Sequence, residues 1–142
     1  MEIRFSLPPS FPRRRRSPSM GFREPANAAC AVALWFFAAR FIKLAGARGA
    51  FSPGLRRVAV FAATPLAVAA LVEGVVWALD TPADKVVESV ALQTAVATML
   101  DGLALAWAHG AVYSRDEATA RAGGAWLLWG VGLGLAYALK HS

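Results

Sequence analysis

Three ionisable residues stand inside long apolar stretches of this chain: Arg40, Glu73 and Asp101. A charge in hydrocarbon is costly, so such residues face a protein interior, pair with one another or line a pathway. Arg40 lies one turn from the end of its apolar block, and Asp101 about two turns from the end of its own. If successive blocks pack as antiparallel helices, these ends share one side, with the two residues about 6 Å and 10 Å deep. An arginine side chain bridges that difference. A charge pair between Arg40 and Asp101 is therefore expected, each offsetting the other's desolvation. The competing expectation is that Arg40 snorkels to the interface while Asp101 bonds Thr64 or Thr98. Glu73 belongs toward the opposite side, with no basic residue at its level. Antiparallel packing places Gln93 and Thr94 beside it, and a neutral glutamate donating to Gln93 is expected. Arg40, Glu73, Gln93 and Asp101 thus form the candidate intramembrane polar site, and its chemistry would be proton binding or a substrate relay.

Other chemistries find no support in the spacing. Cys30 is the one cysteine, and His109 and His141 are the two histidines, far apart. That excludes an intramolecular disulfide and any zinc or haem ligand spacing. No Gly-rich phosphate loop, Ser-His-Asp order or paired-carboxylate pattern occurs. No enzyme, metal or cofactor is expected.

The elements that carry these residues are apolar blocks. The 142 residues are 57% hydrophobic and 17% charged, against the quarter usual in soluble domains. The blocks run over about 26–44, 58–79, 86–108 and 122–139. Each is long enough for a helix across roughly 30 Å of hydrocarbon. From Val58 to Val72 the only polar side chain is Thr64, so this block has no polar face for a water-soluble bundle. Period-two alternation is absent, which disfavours strands. The fold class expected is all-α: a four-helix transmembrane bundle spanning residues 26–142, preceded by a disordered basic N-terminal tail over residues 1–25. That tail holds five prolines and six of the fifteen basic residues. Beside apolar segments it suits anionic lipid rather than nucleic acid, since no aromatic interleaving accompanies it. A start at Met20 would remove most of it. A cleaved signal ending at Ala45-Gly46-Ala47 is disfavoured by Arg40 and Lys43 just upstream.

Small residues at four-residue spacing suggest helix contacts: Ala70, Gly74 and Ala78; Gly102, Ala106 and Gly110; Gly130 and Gly134. They serve either packing within one bundle or association with a second copy or another membrane protein. Trp77, Trp107, Tyr113 and Trp126 lie near block ends, as interface aromatics do.

"GAWLLWGVGLGLAYAL" (Gly124 to Leu139), "TMLDGLAL" (Thr98 to Leu105), the helix-breaking Pro65 and "LWFFAARFIKLAG" (Leu34 to Gly46) occur in that relative arrangement. Together they resemble a family of small, uncharacterised bacterial four-helix membrane proteins, a domain of unknown function. The resemblance covers about Ala28 to Leu139 and implies four spans and no particular activity. The resulting expectation is a multi-pass protein of the bacterial inner membrane, with the lipid bilayer as its first partner. Its alternatives are a small proton-coupled transporter using Glu73 and Asp101, or an assembly subunit binding another membrane protein. Small four-helix multidrug exporters carry their essential glutamate in the first helix; this first block has none, which weakens the transporter alternative.

Overall fold

Apolar blocks rich in Ala, Leu and Val satisfy their backbone groups within one segment only as helices. The computed structural model, which describes residues 20–141, has that form, with no strand among the described residues. Residues 1–19 of the expected tail lie outside them. Four long helices run over Met20–Ala47 (α1), Leu55–Ala78 (α2), Val86–Trp107 (α3) and Glu117–Lys140 (α5), with a single turn, His109–Val112 (α4), between the last two. All four are long and apolar enough to cross a membrane. The protein is accordingly read as a multi-pass membrane protein.

The boundaries differ from the expected ones in informative ways. α1 begins at Met20 and contains Pro25, so residues 20–25 are helical rather than tail. A proline this near a helix start removes one backbone hydrogen bond close to an end that already leaves donors unpaired. Pro65 likewise stands inside α2 and does not break it. α5 starts five residues before Ala122, because Asp116 caps it: its side chain accepts from the backbone N–H of Thr119 at 2.7 Å. Between α1 and α2 the chain turns at Gly49 and Gly54, whose φ angles of 75° and 123° are unfavourable for residues bearing a Cβ.

The helices do not pack in chain order. α1 lies parallel to α3, with Asn27 beside Ser89 and Gln93. α2 lies parallel to α5: Thr64 meets Trp126, Phe61 meets Trp129 and Glu73 meets Tyr137. α5 runs antiparallel to α1, with Gly123 against Ile42 and Gly46 against Thr119. It also packs on α3, with Gly124 against Leu105. α5 is therefore the hub, and α2 rests mainly on α5 rather than on its chain neighbours. The expectation of successive antiparallel neighbours thus holds for α3 with α5 and is corrected for α1 with α2 and for α2 with α3. The main buried cluster joins Ala39, Ile42, Phe51, Ala104, Tyr113 and Ala122 near the α1–α2 linker. A second joins Val72, Val86, Val90 and Ala138 at the other end.

The tightest glycine contact is at Gly123, where an added Cβ would lie 2.6 Å from Cγ2 of the fully buried Ile42. Of the glycines expected to mediate packing, Gly134 is buried with Val68 near it, and Gly130 approaches Thr64. Gly74 and Gly102 have open space where a Cβ would stand, so they mediate no close contact among the described residues. Trp77 and Trp107 are 85% and 80% exposed near helix ends. Tyr113 is instead 1% exposed, and Trp126 is half-buried against Phe41 and Phe51. Neither of these two is an interface aromatic.

Candidate functional site

Asp101 stands on α3 about one and a half turns before its end, and 8% of its surface is exposed. After α3 the chain makes the α4 turn and folds back, carrying Tyr113 inward. The Tyr113 hydroxyl donates to Asp101 Oδ1 at 2.5 Å and accepts from Trp35 Nε1 of α1 at 3.3 Å. Three segments thereby converge on one carboxylate. Burial and the neighbouring carboxylate push the Tyr113 phenol well above its ordinary range, so it remains a hydrogen-bond donor.

Arg40, the expected partner of Asp101, is exposed on α1 and forms no ion pair with it. The reason is rotational: Ala39 and Ile42 turn into the core, which leaves Arg40 on the outer face. Thr64 is not the partner either. It donates to the Val60 carbonyl at 2.7 Å and accepts from Trp126 Nε1 at 2.7 Å.

Glu73 and Gln93 are also separated. Glu73 is exposed and accepts from the Tyr137 hydroxyl at 2.8 Å, a contact made possible by the parallel α2/α5 pair. Gln93 is buried and donates to Asn27 Oδ1 at 2.8 Å, to which Ser89 also donates at 2.5 Å. The four residues expected as one polar site thus fall into three places and an exposed arginine.

The feature that joins Asp101 to open space is a groove between α3 and α5 of about 620 Å³. Such a volume falls in the range of small-molecule sites. One end of the groove carries His109, Glu117 and Arg121, its middle Asp101, Gly102 and Gly124, and its other end, farther along both helices, Thr98, Leu128 and Val131. The small residues open the space, and the walls are mainly apolar. The Leu105–Gly124 contact sets the register. From it, Asp101 and Arg121 stand about 10 Å apart along the bundle. Side chains on a helix lean toward its N-terminus, so Arg121 leans toward the Glu117 end. A second recess, also about 620 Å³, opens at the same end beside Lys43, Ser114, Arg115 and Asp116, and Tyr113 lines it. Tyr113 therefore stands between a charged surface recess and the acid of the groove.

Sequence reasoning missed Tyr113, Trp35, Glu117 and Arg121. The i, i+4 spacing of Glu117 and Arg121 at a helix start was a visible sign of a charged groove end; nothing in the chain announced that Tyr113 turns inward. No protein-family model, curated protein or solved structure matches this chain.

Proposed function

We propose that this chain is a non-enzymatic, multi-pass protein of the bacterial inner membrane that binds a small membrane-soluble amphiphile in the α3/α5 groove. The family of four-helix membrane proteins it resembles is the setting for that reading. One observation carries it: a buried carboxylate within a candidate membrane-spanning helix, Asp101, lines an otherwise largely apolar groove. An ionisable residue so placed is retained against its solvation cost, and ligand sites combine apolar walls with few polar groups. The proton-coupled alternative then rests on Asp101 alone, because Glu73 lies outside the groove. The test is thermal stabilisation of the detergent-purified protein by a panel of cationic, anionic and zwitterionic amphiphiles. A stabilising amphiphile whose effect disappears when Gly102→Leu fills the groove supports the proposal. Equal stabilisation of both proteins by every amphiphile counts against it.

The assembly reading has its own support in α2, whose outer face leaves Gly74, Leu66 and Leu71 uncovered. Pull-down of a stoichiometric membrane partner, lost with Gly74→Leu, would favour it.

A further inference from the structure

Resting on the groove reading, we infer that the ligand is a monovalent organic cation whose charge pairs with Asp101, in place of a proton. The groove's own charges point there. Its ionisable lining is Asp101, Glu117, Arg121 and His109. Two carboxylates, Asp101 and Glu117, face a single guanidinium, Arg121, so fixed negative groups outnumber fixed positive ones in the groove. Arg121 is not the missing partner, since it forms no ion pair with Asp101, stands about 10 Å away along the bundle and leans to the Glu117 end.

None of the described elements packed around Asp101 presents a cation paired with it. α1 presents Trp35, an uncharged donor to Tyr113, while Arg40 is exposed and unpaired with Asp101. The α4 segment presents Tyr113, an uncharged donor, and His109 at the Glu117 end. α5 presents Glu117 and Arg121, and α3 adds the uncharged Thr98. Tyr113 orients the carboxylate without neutralising it. A carboxylate in a low-dielectric wall then holds either a proton or a cation from outside the chain. Glu117 adds attraction for a cation at its end of the groove, and the apolar side chains Leu128 and Val131 at the other end accommodate its hydrophobic part. When a permanent cation binds protonated Asp101, the ion pair forms and the carboxyl proton leaves to solvent, so charge balances.

Two isosteric probes of opposite charge separate the ligand class from the groove itself. Binding of tetraphenylphosphonium and of tetraphenylborate is measured by calorimetry on the full chain in detergent, across pH, for the wild type, Asp101→Asn, Arg121→Gln and Gly102→Leu. A Cβ at Gly102 meets no atom within 4 Å, so Leu there fills the groove without a clash at its root. The inference expects tetraphenylphosphonium to bind the wild type, more weakly as pH falls, with release of a proton. Asp101→Asn should weaken it by about tenfold or more and remove the pH dependence. Gly102→Leu should abolish it, and Arg121→Gln should tighten it. If Asp101→Asn does not fold, Asp101→Glu should retain both the binding and its pH dependence. Unaltered, pH-independent binding of tetraphenylphosphonium by Asp101→Asn overturns the inference. Tetraphenylborate binding that Gly102→Leu abolishes, without tetraphenylphosphonium binding, overturns the cation class and leaves the groove reading standing. Failure of both probes on the wild type, or binding of both regardless of Gly102→Leu, overturns both.

Discussion

Tyr113 and Asp101 are joined by a 2.5 Å hydrogen bond from the phenol to the carboxylate, across the turn that links α3 to α5. The bond ties a connecting segment to the interior of a spanning helix. Tyr113→Phe keeps the ring and removes the donor. It should cost roughly 1–3 kcal/mol, the range for leaving a buried acceptor unpaired. Asp101→Asn combined with Tyr113→Phe should cost less than the sum of the two single changes, measured by unfolding in detergent. Additivity would show that the bond contributes nothing.

The same phenol fixes an alkaline limit. Its folded-state pKa lies above the ordinary value of about 10. The stability it contributes is fully present below that ordinary value and declines as pH rises above it, because the unfolded chain releases the proton first. Thermal scans from neutral pH upward should show this decline in the wild type and a smaller one in Tyr113→Phe.

Gly123 of α5 packs directly against Ile42 of α1, with no room for a Cβ between them. Gly123→Ala should destabilise by about 1–3 kcal/mol through overpacking. Ile42→Val combined with it should recover part of the loss. Gly74→Ala, which meets open space, should leave the melting temperature almost unchanged.

Asp116 caps α5 by accepting from the Thr119 N–H, and hydrogen bonding by the Thr119 side chain and then its backbone holds the Asp116 carboxyl below the ordinary aspartate range. Its contribution is therefore present above the ordinary value of about 3.9 and is lost as pH falls through the lower folded value. Asp116→Ala should fray the start of α5 at neutral pH. Asp116→Asn should keep the cap and lose the acid dependence. Hydrogen exchange at Ala118 to Ala120 reads both.

Orientation follows from basic residues near the helix ends. The end holding the α1–α2 linker carries Arg40, Lys43, Arg48, Arg56, Arg57, Arg115 and Arg121, seven in all. The opposite end carries Lys85 and Lys140, and the sequence up to the start of α1 adds Arg4, Arg13, Arg14, Arg15, Arg16 and Arg23, eight in all. Starting at Met20 leaves three against seven. The shortened chain should then place both termini in the periplasm, and residues 1–19 should shift molecules toward the opposite orientation. A compartment-specific reporter after Ser142 measures it; a cytoplasmic C-terminus in the shortened chain would refute the charge argument.

The sequence by itself determined the helices. Runs such as Val58 to Val72 admit no other backbone state in lipid and carry no polar face for water, so type, number and approximate span were legible. Asp101 was legible as a candidate for the same reason: a carboxylate within such a run is conspicuous. Its partner was not legible. Apolar helices have little amphipathic face to declare which side turns inward, so the sequence could not say that α1 pairs with α3, α2 with α5, or that Arg40 turns outward. The tertiary structure decided those matters through close approaches such as Gly123 against Ile42. It also folded Tyr113 back onto Asp101 and left the groove between α3 and α5, because contacts between helices depend on rotation and register, which composition leaves open.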